Sequence, residues 1–260
     1  MLLEKRLGEI LKLVEKNGSV TVQELTEHLK ASESTIRRDL YLLDEEGKLN
    51  KVHGGATAIN MSYASEKDVE VEYRKNLNRE EKTEVARYAA SLIKPDDLVY
   101  LDAGTTTERV IDFITEKRAV YVTNAIGHAK RLVQAGCEAH ILGGKFKLST
   151  EAVVGIETAS ELEKFNFTIG FIGTNGISRR AGFSTPDIEE AMVKRRAVIQ
   201  CRRPYILGDS GKFNQISPVT FAGIEDAELI TTEIKHDSFR DLKNIIEITK
   251  KQEKQERSTP

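Results

Sequence analysis

Two sets of residues in this sequence have types and spacings suited to chemistry. The first is Asp102-Ala103-Gly104-Thr105-Thr106-Thr107, which follows the apolar run Leu98-Val99-Tyr100-Leu101. Small residues at such a turn let backbone N–H groups approach an anion, and the three hydroxyls add donors. A helix opening at the same point contributes the positive end of its dipole. The pattern is that of a phosphate cradle, though neither a Walker loop nor a dinucleotide fingerprint. A turn stabilised by threonine is the other reading of the same residues.

Four more polar turns follow apolar runs: Thr123-Asn124, Gly143-Gly144-Lys145, Gly173-Thr174-Asn175-Gly176 and Asp209-Ser210-Gly211-Lys212. If the runs are parallel strands of one sheet, their ends converge on the Asp102–Thr107 turn. Lys145 and Lys212 are then candidate phosphate partners. Asp102, Asn124, Asn175 and Asp209 can hydrogen-bond sugar hydroxyls. Glu190 and Lys194 stand four apart on one predicted helix, which by itself makes a surface pair of about 0.2–0.5 kcal/mol.

The second set is Ser32-Glu33-Ser34-Thr35-Ile36-Arg37-Arg38. On a helix turning about 100° per residue, Ser34, Arg37, Arg38 and Tyr41 share one face, and Ile36, Leu40 and Leu43 another. The outer face, with Ser32 and Thr35 at its start, offers hydroxyls for phosphates. It also carries two guanidinium forks for phosphates or guanine edges. Lys51 and His53 lie just beyond. Two arginines on a solvated helix face are the ordinary alternative.

The elements that must position these residues follow from periodicity. Leu3, Leu7, Ile10, Leu11 and Val14 mark a helix stopped by Asn17-Gly18. Val22, Leu25 and Leu29 mark a shorter one. Ser32 caps a third, ended by Gly47. Lys48–Gly55 alternates weakly and closes on two glycines, as a β-wing does. Three short helices and a wing form a winged helix-turn-helix, whose third helix enters the major groove by its N-terminal residues. Residues 1–57 are assigned to this α+β unit and 58–78, poor in large aliphatics, to a partly ordered linker. Residues 79–238 repeat strand, polar turn and helix, which predicts an α/β sheet with functional loops at its strand ends. AVYVTNA, AHILGG, FTIGFIGTNG and PYILGDSG are read as its buried strands after LVYLDAG. Residues 239–260 are assigned to a C-terminal helix and polar tail.

Composition bounds the rest. The 260 residues, 39% hydrophobic and 31% charged, suffice for two folded domains. No apolar run reaches the roughly 18–20 residues of a membrane span. The N-terminus is periodic and carries acids, unlike a signal peptide. Two cysteines without CxxC, and five histidines without ligand spacing, predict neither disulfide nor metal site. A cytoplasmic protein without membrane association, metal or cofactor is expected. The net charge of −2 does not itself call for nucleic acid. Residues 1–55 hold nine Lys/Arg and ten Asp/Glu. The case for DNA rests on placement: Asp44, Glu45 and Glu46 lie about 10–15 Å from the start of the third helix.

The run ASESTIRRDLYLLDEEGKLNKVHGGA resembles the DNA-binding domain of the DeoR family of bacterial sugar-metabolism regulators. EKTEVARYAASLI, LDAGTTT, VTN, LGG, FIGTNGI, EEAMVKR and DSGKF fall in the family's order and spacing, so the resemblance covers nearly the whole chain. ASESTIRRDL is most similar to repressors of fructose-uptake operons in Gram-positive bacteria. The resemblance implies a winged helix-turn-helix that binds double-stranded operator DNA. It also implies an α/β sensor domain similar in fold to ribose-5-phosphate isomerase, with a phosphorylated sugar as effector and Glu190 and Lys194 bordering its pocket. Fructose 1-phosphate is the first candidate. One small winged helix makes few contacts, so a homo-oligomer, dimer or tetramer, is expected. The rival reading is a sugar-phosphate isomerase with an accessory DNA-binding module. Such an isomerase needs a carboxylate to move a proton between adjacent carbons. Thr174-Asn175-Gly176 offers none, which leaves Asp102 and Asp209. A non-enzymatic regulator is favoured.

Overall fold

A computed structural model of the chain describes residues 2–17, 19–52, 54–58, 71–234 and 237–248. The N-terminal unit comprises α1 (Leu3–Asn17), β1 (Ser19–Thr21), α2 (Val22–Leu29), α3 (Glu33–Glu45), β2 (Asn50–Val52) and β3 (Gly55–Thr57). Thr21 and Glu24 form a reciprocal capping box that starts α2, with Glu24 N–H donating to Thr21 Oγ1 at 3.1 Å and Thr21 N–H to Glu24 Oε2 at 2.7 Å. Lys30, left-handed at φ 50°, ends it, and Ser32 caps α3. Ile10 and Val14, Val22, Leu25 and Leu29, and Ile36, Leu40 and Leu43 bury the three inner faces together. The wing closes as an antiparallel sheet in the order β1-β3-β2. Gly55 is required there, because a Cβ would stand 2.1 Å from the Val20 carbonyl oxygen.

Asp39 is buried on α3 itself. Its carboxylate accepts from Arg6 of α1, Nε at 2.5 Å and Nη2 at 3.0 Å. This fork ties α3 to α1 and leaves the neighbouring Arg37 and Arg38 outside.

The second unit runs α4 (Val71–Asn76), α5 (Arg79–Ser91), β4 (Leu98–Leu101), α6 (Thr105–Val110), β5 (Val120–Thr123), α7 (Ile126–Gln134), β6 (Glu138–Ile141), β7 (Lys145–Lys147), β8 (Ala152–Val154) and α8 (Ile156–Leu162). It continues with β9 (Ile169–Gly173), β10 (Gly176–Ser178), β11 (Gly182–Thr185), α9 (Ile188–Gln200), β12 (Pro204–Leu207), β13 (Val219–Ala222), β14 (Glu228–Thr231) and β15 (Ile245–Glu247). Seven parallel strands form one sheet in the order β15-β14-β12-β9-β4-β5-β6. The chain winds outward from β4 in one direction, then returns to β9 and winds the other way. The switch point lies between β4 and β9, where an open α/β sheet has a crevice at its carboxyl edge.

Alternation along the strands feeds two cores. Val99 and Leu101 of β4 pack beneath α5, α6 and α7. Tyr100 faces the other way, towards α8, α9 and a small sheet in the order β10-β11-β13.

Two expectations change, and the partly ordered linker includes α4. The strand expected in AHILGG is an edge strand, and Glu138, His140 and Ile141 are exposed rather than buried. The helix expected from residue 239 is absent among the described residues: Asp237–Phe239 is a single 3-10 turn and Ile245–Glu247 extends the sheet as β15. The apolar run Ile245, Ile246 and Ile248 suits strand or helix by pattern, and the open edge of β14 decides between them.

Candidate functional site

A pocket opens at the switch point, walled by the turns that follow β4, β5 and β9 and by α9. Asp102 forms its floor. The carboxylate accepts from the Gly173 N–H at 3.0 Å and from Lys194 Nζ, and Lys194 Nζ also donates to the Gly173 carbonyl at 3.0 Å. Burial pushes the Asp102 carboxyl above its ordinary pKa, and the Lys194 charge and Gly173 N–H pull it back. Asn124 holds the turns together: its Oδ1 accepts from Ala103 N–H at 2.8 Å and Tyr100 OH at 3.1 Å, and its Nδ2 donates to Val153 O at 3.0 Å. Asn175 accepts from Thr185 Oγ1 at 3.2 Å, and the same hydroxyl lies 3.3 Å from Glu190 Oε2.

Three cations line the pocket, and one of them reaches Thr105. Lys82 of α5 is buried, and its Nζ donates to the Arg74 carbonyl at 2.5 Å and to Thr105 Oγ1 at 3.1 Å. Arg74 from α4 and Lys212 line the same pocket. Burial pushes the Lys82 pKa down to about 8; Asp209 opposes that shift, while Lys212, Arg109 and Arg74 add to it. An ammonium poised near neutrality among other cations is stabilised by an anion. Among the described residues the buried Arg74 Nε has no hydrogen-bond partner, nor do Thr150 Oγ1 and His128 Nδ1, all on pocket-lining residues. Burial lowers the His128 pKa to about 4, so its imidazole is neutral at pH 7. The arrangement therefore offers a cationic end for an anion and a hydrogen-bonding floor for hydroxyls.

Most expected pocket residues meet there: Asp102, Gly104, Thr105, Thr106, Asn124, Gly173, Asn175, Glu190, Lys194 and Lys212. The others have different tasks. Thr107 turns beneath the loop and donates to Asp102 O at 2.7 Å and Gly104 O at 2.9 Å. Thr123 Oγ1 accepts from Ala125 N–H at 3.1 Å. Gly143 N–H donates to Glu161 Oε2 at 2.7 Å. Gly144, at φ +142°, has Thr158 Oγ1 2.1 Å from where a Cβ would stand. Lys145 leaves the pocket altogether and pairs with Glu189 at 2.8 Å on the exposed surface. It opens the β7–β8 hairpin, which carries the chain away from the sheet edge. Asp209 is buried, accepting from Asn78 Nδ2 at 2.7 Å and Gly211 N–H at 3.1 Å, and acts on Lys82 through its charge.

Lys82 and Arg74 are additions that the sequence reading lacks. Lys82 had a signal. It stands three, four, seven and eight residues before Val85, Ala86, Ala89 and Ala90, in line with the buried stripe of α5. Arg74 had none, being in a segment without apolar periodicity.

On the N-terminal unit, Ser32, Ser34, Arg37, Arg38 and Tyr41 are exposed along α3. The Ser32 hydroxyl is 2.9 Å from those of both Ser34 and Thr35, so this trio also serves the cap. Arg37 pairs with Glu33 at 3.2 Å, whereas Arg38 has no ion-pair partner among the described residues. Lys51 sits on the wing, its N–H held by Asp44 Oδ1 at 2.9 Å. His53 lies outside the described residues.

Comparison with known proteins agrees with this two-part layout. Residues 6–62 match the DeoR-like helix-turn-helix domain, and residues 77–233 match the DeoR C terminal sensor domain. The chain is 41% identical over 254 residues to the uncharacterized HTH-type transcriptional regulator FruR of Bacillus subtilis, covering 96% of this chain and all of that protein. It is 32% identical over 237 residues to the lactose phosphotransferase system repressor of Streptococcus mutans, covering 90% and 93% of the two chains. Among solved structures, ribose 5-phosphate isomerase A of Methanocaldococcus jannaschii aligns with a TM-score of 0.39 at 13% identity, over 52% of this chain and 55% of that one.

Proposed function

The chain belongs to the DeoR family of transcriptional regulators, and from that membership we propose that it represses a sugar-utilisation operon and leaves its operator when a phosphorylated sugar fills the pocket. The observation that carries this reading is that Arg74, Lys82 and Lys212 line one otherwise hydroxyl-matching pocket, with Lys82 Nζ bonded to Thr105 Oγ1 at 3.1 Å. A phosphate ester satisfies the cations, and sugar hydroxyls satisfy the floor around Asp102, Asn175 and Glu190. Fructose 1-phosphate is the first ligand to try, given the similarity to FruR of Bacillus subtilis. An isomerase finds less support. The turn after β9 is Thr174-Asn175-Gly176, without an acid, and the Asp102 carboxylate is engaged by Lys194.

The ligand must lower operator affinity by the same factor that the operator lowers ligand affinity, within the usual coupling of about 1–3 kcal/mol, or 5–150-fold. The test is fluorescence anisotropy on a labelled operator, titrated with fructose 1-phosphate and with fructose. Release by the phosphate ester alone is expected. Equal responses to both sugars, or none to either, would overturn the reading of the pocket.

A further inference from the structure

Two neutral polar groups stand unused on one wall of the pocket. His128, in the first turn of α7, lines the pocket and is only 5% exposed, and among the described residues its Nδ1 has no hydrogen-bond partner. Thr150, in the turn between β7 and β8, lines the same pocket, and among the described residues its buried Oγ1 has none either. Their segments are stitched together. Ala125, just before α7, bridges Ala152 at the start of β8. Val153 N–H donates to Asn124 O at 2.7 Å, and Asn124 Nδ2 donates back to Val153 O at 3.0 Å. His128 and Thr150 therefore belong to one built wall. Buried polar atoms are normally partnered, so two left over on a pocket wall point to a group that the pocket holds.

The chemistry of that group follows from the ring. His128 is hydrogen-bonded to the Gly104 backbone. A neutral imidazole has a single N–H, and with that N–H given to the backbone, Nδ1 keeps a bare lone pair. A lone pair accepts from a hydroxyl and repels a phosphate oxygen, which has only lone pairs to offer. The Thr150 hydroxyl can donate to the same sugar hydroxyl or accept from it.

We propose that His128 and Thr150 form a hydroxyl-reading subsite, which selects a sugar monophosphate as effector and rejects bisphosphates. The inference rests on the phosphosugar reading of the pocket and narrows it. Arg74, Lys82 and Lys212 hold the ester. A tilt of the imidazole brings Nδ1 to a hydroxyl at the end of the sugar away from the ester. Fructose 1,6-bisphosphate is the discriminating probe, because it carries phosphate at both ends. Whichever end meets the cations, the other meets His128.

Calorimetric titration of the full chain with inorganic phosphate, fructose 1-phosphate and fructose 1,6-bisphosphate tests this. Wild type should bind fructose 1-phosphate about tenfold more tightly than the bisphosphate. His128→Phe removes the lone pair and leaves the Gly104 carbonyl bonded to Thr107 Oγ1 and the Glu108 N–H. It should weaken fructose 1-phosphate about tenfold and leave inorganic phosphate unchanged. An equal loss on both would make His128 a prop for the turn and overturn the proposal. So would a wild type that prefers the bisphosphate, or a variant with wild-type affinity for the ester. Nitrogen-15 NMR of wild type gives a readout that no folding defect imitates. The bare Nδ1 of His128, recognised by its pKa of about 4, should shift with fructose 1-phosphate and stay in place with inorganic phosphate. A ring that gains a second proton on binding would put phosphate against His128 and overturn the hydroxyl assignment. Binding of neither phosphate nor ester by wild type would bring down the pocket reading itself; binding of both without these differences brings down the subsite alone.

Discussion

Lys194 of α9 donates to the carboxylate of Asp102, 92 residues earlier at the end of β4, and the two side chains are only 7% and 2% exposed. The pair joins the switch point to a helix on one face of the sheet. Neither residue is a surface charge, although Glu190 and Lys194 read as an ordinary four-residue spacing in sequence. In the fold Lys194 turns inward to Asp102, while Lys147 of the β7–β8 hairpin approaches Glu190 at 3.3 Å.

Removing one partner of this pair leaves a charge buried without compensation. Lys194→Met should destabilise the sensor domain by about 3–5 kcal/mol, and Asp102→Asn on that background should recover much of the loss. The Asp102 pKa is already raised by burial, and losing Lys194 raises it further. A carboxyl with a folded pKa above its unfolded value of about 3.9 stabilises most when protonated, below that value, and loses the contribution as pH rises. The deficit of Lys194→Met should therefore grow with pH. Urea denaturation at pH 5 and pH 8 measures it, and a deficit constant with pH would remove the carboxylate from the explanation.

Arg37→Ala and Arg38→Ala should each weaken operator binding with melting temperature unchanged. An arginine that reads a base should cost about 1–3 kcal/mol and relax specificity at one position. One that holds phosphate should weaken all sequences alike and lower the salt slope by about one. Binding isotherms on operator and on scrambled duplex at several salt concentrations distinguish the two. Wild-type binding by both variants would displace α3 from the groove.

Asp39 shares the ESTIRRDL run with those arginines but does the opposite work. Breaking its buried fork with Arg6 by Asp39→Ala should cost about 3–5 kcal/mol in the winged helix. Operator affinity should fall through unfolding, with pocket ligand affinity retained. A two-step melt whose first transition alone moves is the expected signature.

Asp39 and Lys145 show where the sequence is readable and where it is not. Periodicity places Ile36, Leu40 and Leu43 inside, and the same periodicity puts Asp39, three after Ile36, on the inner side. A buried acid is legible as an anomaly, but its partner on α1 is a tertiary fact. The strand-end turns were legible because parallel strands gather their carboxyl ends. Lys145 follows such a turn too, yet β6 is the outermost strand of its sheet and the chain leaves there as a hairpin. Strand order, which no local pattern encodes, decides which turns meet. Beside Lys212, the cations came from α4 and α5, helices whose charged residues look solvated until the sheet lies beneath them.

Lys82 gives the sharpest test of the phosphate reading. Burial and the neighbouring cations disfavour its ammonium and push its pKa down to about 8. A bound phosphate dianion restores that charge, so binding takes up a proton above pH 8. Affinity for a sugar phosphate should then fall up to tenfold per pH unit beyond about 8. It should also fall below about pH 6, where the ester loses its second charge. His128, at about 4, stays neutral across this window and adds no limb. Lys82→Met replaces the side chain at similar length without charge; it should weaken binding at pH 7 and abolish the alkaline limb while leaving the acidic one. Calorimetric titration of fructose 1-phosphate from pH 5.5 to 9.5 reads both limbs. An alkaline limb that survives in Lys82→Met would assign it to another group, and with it the anchoring of the phosphate.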